Sequence, residues 1–334
     1  MDEPQAQTRS TGGPGIGVWL LFLAMTAGGI ALLVWPEDVE EGGEEERPKT
    51  AEIHRFAPAD TELLVRIKLR KVLRSPVMPM LALNKHTLWR SLRLRSSVKI
   101  FLENSGLRLE DGLEIGFAVR GMASTKRPPE AMATFKGAFG AARVKEAFVA
   151  TFSAQQERIG ARSALANDTI GLEIADRLLL GKRPFFDDAL ASAETLRDHP
   201  EVSLVLGALG KEGAITVVGK GSLIPPLRFV GMGSETPQKI RWWALTLDLM
   251  GAPKMRGALL VDNTKTAEAL YEWIENALGL ASIGVSVVEG GLALGSLIEH
   301  TTVEPDGRLV RVRMELPLSE VPGLVAAIRA NTRW

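Results

Sequence analysis

The 334-residue chain contains no cysteine, which excludes a disulfide-stapled scaffold and any zinc site built on thiolates. It also lacks a surplus of either charge, with 40 Lys and Arg against 40 Asp and Glu. A protein that coats nucleic acid needs a clear positive excess, so no nucleic-acid partner is expected. Histidine is scarce: His54, His86, His199 and His300 lie at least 32 residues apart, far from the i, i+4 spacing of a helical zinc pair. Two catalytic signatures begin and fail. Gly219, Lys220, Gly221 and Ser222 hint at a phosphate loop, but Ala214 stands where its first glycine belongs and Gly221 where its hydroxyl belongs. Gly284 and Ser286 open a nucleophile elbow that Val288 leaves unclosed. No cofactor, metal ligand or catalytic residue is therefore assigned.

What is present is an ordinary folded composition, 46% hydrophobic and 24% charged. At roughly 150 residues per domain the length suggests about two domains or one large one. No charged residue occurs from Ser10 to Pro36, and the twenty residues from Ile16 to Trp35 would reach about 30 Å as a helix, enough to cross a bilayer. Trp19 and Trp35 sit near the two ends, where indole rings favour the interface. A signal peptide cleaved near Ala24 and Thr26 competes with this reading. Only Arg9 stands against Asp2 and Glu3 before the run, and the apolar stretch continues to Trp35, so an uncleaved signal anchor is expected. Seven acidic residues between Glu37 and Glu46 follow, a solvated and self-repelling spacer.

Beyond the spacer, Glu62 to Leu69 alternates apolar and charged residues and predicts a half-buried strand. Met80 to Asn104 and Ala141 to Arg158 predict helices, with Leu113 to Arg120 and Ala131 to Phe135 as strands between them. The second half repeats the grammar. Ile215 to Val218 and Leu227 to Val230 predict strands, Arg241 to Leu249 and Met255 to Val261 a hairpin pair, and Lys265 to Leu278 a helix with Ala267, Leu270, Tyr271, Ile274 and Leu278 as its stripe. Gly279 to Ile298 is apolar but carries Glu289, which points to buried strands instead of a second span. A last hairpin turns at Pro305, Asp306 and Gly307, and Val321 to Arg329 closes as a helix. The expected fold is α+β: a single N-terminal transmembrane helix, then a mainly antiparallel sheet domain with packed helices, readable as a diverged duplication. The expected divisions are a tail over 1–15, the span over 16–35, the spacer over 36–51, and two α+β halves over 52–200 and 201–334.

Two side-chain groups invite a functional reading. Asp187 and Asp188 are adjacent carboxylates, suited to a hydrolase or, more simply, to the first turn of a helix. Asn167, Asp168 and Thr169 also form a glycosylation sequon. Between Leu63 and Leu102 lie ten basic residues and no acidic one. Beside a bilayer such a stretch contacts anionic lipid or an acidic partner, and the residues assigned to that contact are Arg66, Lys68, Arg70, Arg90, Arg93 and Lys99.

The run Phe56, Ala57, Pro58, Ala59, Asp60, Thr61 followed by ELLVRIKL resembles the start of the folded domain in uncharacterised membrane-anchored bacterial proteins of unknown function. Those carry an acidic residue near the end of the strand, where this chain has Lys68. The resemblance implies a bacterial, anchored, extracytoplasmic domain and no site residues. The functional expectation is a single-pass protein of a bacterial inner membrane with its large C-terminal periplasmic domain outside the cytoplasm. A non-enzymatic scaffold or binding role near the membrane is expected over an envelope hydrolase with dispersed catalytic residues or a lipid or small-ligand carrier.

Overall fold

The structure is a computed structural model that describes residues 56–77, 96–107, 111–122, 128–192, 194–210, 213–223, 239–285, 295 and 298–323. In chain order the elements begin with β1 (Leu63–Lys68), α1 (Leu69–Leu73), α2 (Ser96–Ser105), β2 (Gly112–Arg120), β3 (Glu130–Gly137) and α3 (Ala141–Phe152). Four short strands follow: β4 (Gln155–Ile159), β5 (Arg162–Ala166), β6 (Ile170–Ile174) and β7 (Leu178–Lys182). Then come α4 (Phe185–Ala191), α5 (Pro200–Leu209), β8 (Ile215–Lys220), β9 (Ile240–Asp248), β10 (Lys254–Val261), α6 (Thr264–Val285), β11 (Thr301–Asp306) and β12 (Leu309–Glu315).

All twelve strands join one sheet in the order β11-β12-β10-β9-β8-β1-β2-β3-β7-β6-β5-β4. Its centre is the antiparallel β1–β8 pair, with Leu64 opposite Val218 and Ile67 opposite Ile215. On either side of this seam a three-strand meander leads into a helix, and the later strands pair back onto the end of the meander. Alternation along each strand divides the core. One face carries Leu64, Ala118, Met132, Val218 and Trp242 beneath Phe185 and Phe186 of α4 and Val202 and Val205 of α5. The other carries Val65, Ile67, Ile215, Trp243 and Val312 against Leu270 and Ile274 of α6. A third cluster joins Phe101 of α2 and Phe148 of α3 to Leu165, Leu172 and Leu178.

This layering corrects the half-buried reading of β1. At the middle of the sheet it is covered on both sides, so its polar position Arg66 is also buried, 2.7 Å from Glu114 of β2. Opposed charges continue beside it: Lys68 faces Glu114, which faces Lys136, and Lys254 faces both Asp248 and Glu315. Such cross-strand pairs favour this register over a slipped one.

Several boundaries also differ from expectation. The helix expected over Ala141 to Arg158 stops at Phe152, where Ser153 turns left-handed at φ 53° and the chain enters β4. Helix α6 runs on to Val285, so Gly279 to Val285 is helical and not a strand. Most of Met80 to Asn104, all of Leu227 to Val230 and most of Val321 to Arg329 lie outside the described residues. Asn167 of the sequon is held in the structure: its Nδ2 donates to Phe152 O at 2.7 Å while its Oδ1 accepts the Thr169 and Ile170 amides.

The expected transmembrane helix, Ile16 to Trp35, and the acidic spacer lie outside the described residues. Among the described residues no helix is long and apolar enough to cross a membrane. Helix α6 shows the distinction: its 22 residues extend about 33 Å, yet Lys265, Glu268, Glu272 and Glu275 are exposed along it. The expectation of a fold headed by a spanning helix is corrected to a mixed α+β fold. The signal anchor, the integral one-span membrane partner and the inner-membrane placement with a periplasmic domain rested on that span and are withdrawn with it.

Candidate functional site

Of the six sequence-assigned cations, the structure describes the side chains of Arg66, Lys68 and Arg70. Arg66 is buried against Glu114, Lys68 is half-buried at the end of β1, and Arg70 is exposed on α1. Arg90 and Arg93 lie outside the described residues, and Lys99 falls in α2. The anionic-lipid or acidic partner that the membrane tether motivated is withdrawn with the tether.

The adjacent carboxylates stand in the first turn of α4, as the simpler reading expects, and serve two arginine hubs; the helix begins after Pro184 without a side-chain cap. Asp188 lies 2.7 Å from Arg120, which also holds Glu130 at 2.7 Å and Asp60 at 2.9 Å and stacks over the Phe185 ring at 4.6 Å. Burial opposes the Arg120 charge, but the hydrogen bonds to Asp188 and Glu130 and the nearby Asp60 outweigh it and raise its pKa. Asp187 pairs with Arg183 at 2.6 Å, and Arg183 reaches Glu157 of β4 at 2.9 Å. Its hydrogen bond to Glu157, helped by Asp187, raises the Arg183 pKa against burial. A cleft of about 390 Å³ opens here, lined by Glu157, Asp168, Arg183, Pro184 and Asp187. Arg183, Glu157 and the Oδ2 of Asp187 fix α4 to the sheet edge, while Asp187 Oδ1 is buried and makes no hydrogen bond among the described residues.

His199, the histidine beside α5, packs its ring on Trp242 at 5.2 Å. Asp187 meanwhile binds Arg183, so these two do not form the acid–base pair a hydrolase would need. Gly219 and Gly221 of the phosphate-loop hint serve packing: a Cβ would lie 2.5 Å from the Trp243 indole at the first and 1.6 Å from Ile240 O at the second. No group of three or more His, Cys, Asp or Glu among the described residues could hold a metal.

The larger cleft, about 440 Å³, lies between α5 and the β11–β12 hairpin. Helix α5 starts with Pro200 at its first turn and packs on β9 and β10 through Val202, Val205 and Leu209. Its lateral surface supplies Ser203, Leu204, Gly207 and Ala208 to one wall. Leu204 is 44% exposed there, and a Cβ on Gly207 would meet nothing within 4 Å. The hairpin supplies Asp306, Arg308, Leu309 and Arg311. Arg308 donates from Nε to Val261 O at 3.2 Å and lies 3.5 Å from Glu201, which Arg241 also approaches at 3.1 Å. Arg311 donates from Nη2 to the Asp306 carboxylate. Its Nε is buried and makes no hydrogen bond among the described residues. The same holds for Asp187 Oδ1 and His199 Nδ1, so this atom does not by itself mark a site.

The start of α5 is fixed by a capping box in the 3₁₀ turn Leu196–Asp198, where the Thr195 hydroxyl donates to Asp198 at 2.9 Å and its amide at 3.2 Å. The hydroxyl bond first, then the amide bond, lowers the Asp198 pKa. A depressed carboxylate contributes stability that is present above its unfolded pKa and lost as pH falls through the folded one. The Thr195 amide resonance is therefore expected to move at a pH below the ordinary aspartate range. An Asp198→Asn variant should lack that step, and a transition unchanged in the variant would contradict this account.

No protein-family model matches the chain, and no curated protein matches it. The chain is similar in structure to crystal form I of TP0453, at 8% identity and a TM-score of 0.43, over 83% of this chain and 96% of that one. So distant a likeness assigns no ligand, partner or activity. The resemblance drawn from Phe56 to Leu69 reduces to this low-identity likeness. The reading as a single-pass, membrane-anchored extracytoplasmic protein is corrected to an α+β domain whose described residues hold neither a spanning helix nor a metal or cysteine site.

Proposed function

We propose that this protein is a non-enzymatic binding domain whose ligand seats in the cleft between α5 and the β11–β12 hairpin. The observation that carries the reading is the conjunction, in one open cleft, of an exposed leucine, a helix surface bare of side chain at Gly207, and two arginines, Arg308 and Arg311, on the facing hairpin. Binding clefts commonly have this make-up: an apolar wall of suitable volume with a few directed polar groups. Among the described residues that line the cleft, the one hydroxyl, Ser203, donates to Arg197 O at 3.1 Å, and none is a histidine or lysine. No nucleophile with an adjacent base stands among the described lining residues, which favours binding over turnover.

Nuclear magnetic resonance mapping tests the reading. A panel of small aliphatic fragments, cationic, neutral and anionic, is titrated into the ¹⁵N-labelled chain. The amides of Ser203 to Ala208 and Arg308 to Arg311 are expected to shift together. Hits that cluster elsewhere, or a panel that moves none of these amides, would overturn the assignment.

A further inference from the structure

We infer that Phe56 to Thr61 form a latch that sets the start of α5 and, through it, one wall of the cleft; what this does to a ligand rests on the binding role proposed above. The segment precedes β1 and is tied to the turn ahead of α5 by two backbone links. Pro58 forms an isolated antiparallel bridge with Thr195, and the Ala57 carbonyl accepts the Leu196 amide at 2.7 Å. Ahead of these links the Phe56 ring is buried under two cations. The guanidinium carbon of Arg177, in the β6–β7 turn, lies 3.6 Å from the ring centroid, and that of Arg162, at the start of β5, lies 5.5 Å away. The face of an aromatic ring attracts cations, and more so where water is excluded. Arg162 is held in place by Glu173, whose two oxygens accept from its Nη1 at 3.1 and 3.2 Å. At the other end the Thr61 amide closes a turn on Pro58 O, and Asp60 pairs with Arg120. Asp60 is exposed, so its pair adds little, and the hold depends chiefly on the ring.

The residues that receive the latch also position the helix. Thr195 caps the 3₁₀ turn Leu196–Asp198, Leu196 is buried, and the turn leads through His199 directly into α5. Ser203, on the cleft wall, donates to the carbonyl of Arg197 in that turn. A continuous run of bonds therefore leads from the latch to the cleft. A segment held by one ring and two backbone links opens at lower cost than the central strands of the sheet. Opening removes the acceptor of the Leu196 amide and the bridge to Thr195, which frees the turn and the first turn of α5 with it. A ligand that needs the closed wall stabilises the closed latch, and by linkage the closed latch favours that ligand.

Amide hydrogen exchange on the full ¹⁵N-labelled chain tests the latch with no ligand present. Phe56→Ala should speed exchange of the Leu196 and Ser203 amides together, by about a hundredfold or more, while Trp243 and Leu245 of β9 exchange as in the wild type. Phe56→Leu keeps the apolar bulk and removes the ring face, so it disturbs folding less and should speed the same two amides by about tenfold. Unchanged exchange at Leu196 in Phe56→Leu, or an equal rise at Leu196, Trp243 and Leu245, would overturn the latch. Faster exchange at Leu196 alone, with Ser203 as in the wild type, would overturn its coupling to α5. A second arm adds an aliphatic fragment that shifts the wild-type cleft. At ten times its Kd it should slow Leu196 exchange in Phe56→Leu by about tenfold, because a ligand specific to the closed state suppresses the open one in proportion to saturation. An unchanged rate would overturn the link between latch and ligand. If no fragment shifts the wild-type cleft, the binding role fails by itself, and the exchange rates without ligand still decide the latch.

Discussion

Phe186→Ala is expected to destabilise the fold by about 3–5 kcal/mol, the range for removing a fully buried aromatic ring. Phe186 is 0% exposed and lies in the layer between α4 and the sheet. The strands beneath it are shaped to receive it. A Cβ on Gly171 of β6 would lie 2.3 Å from the ring, and one on Gly181 of β7 would lie 3.1 Å from the Phe186 Cβ. Gly171→Ala should therefore strain the wild-type protein by about 1–3 kcal/mol through overpacking. The same substitution should be far milder in the Phe186→Ala background, where the added methyl enters space the ring has left. Chemical denaturation of the two single variants and the double variant measures this coupling. Additive effects would show that ring and glycine do not share the contact described.

Glu114→Ala is expected to cost about 3–5 kcal/mol, because it removes a close acidic partner from the buried Arg66 charge. The two side chains are 5% and 15% exposed and 2.7 Å apart, on adjacent strands next to the β1–β8 seam. Replacing both with apolar groups of similar volume, Arg66→Met with Glu114→Leu, should recover most of the loss, since desolvation of the pair offsets much of its attraction. Urea melts of the two forms decide the matter. A double variant as unstable as Glu114→Ala would mean that the pair does more than compensate itself. Burial of Arg66 also removes it from any surface contact, which separates it from the exposed Arg70 four residues on.

Strand β1, the β9–β10 and β11–β12 pairs and the stripe of α6 were legible because each carries a sustained period of two or 3.6 residues over six or more positions. Strands β4 to β7 were not, since each has only five residues and the helical pattern of α3 continues into Gln155 to Arg158. Helix α5 was missed for a different reason. Val202, Leu204, Val205, Leu206 and Leu209 leave no polar stripe to set a period, and only Pro200 at its start and Gly210 at its end marked it. Without α5 the cleft has no wall, so Arg311 reads as the solvent side of an alternating strand. Burial of Arg66 was equally illegible. It depends on which strands flank β1, and the β1–β8 pairing joins residues about 150 positions apart in the chain.

The most direct test of the binding role fills the cleft without disturbing the fold. Gly207 is open on its outer side, and replacing a helical glycine with a good helix former gains up to about 1 kcal/mol. Gly207→Leu should therefore melt at the wild-type temperature or above it while placing a leucine side chain where the ligand is expected. Titration of this variant with the aliphatic fragments that shift the wild-type cleft should leave the Ser203, Leu309 and Arg311 resonances unmoved. Binding that persists at wild-type strength in a folded Gly207→Leu protein would contradict the assignment of this cleft.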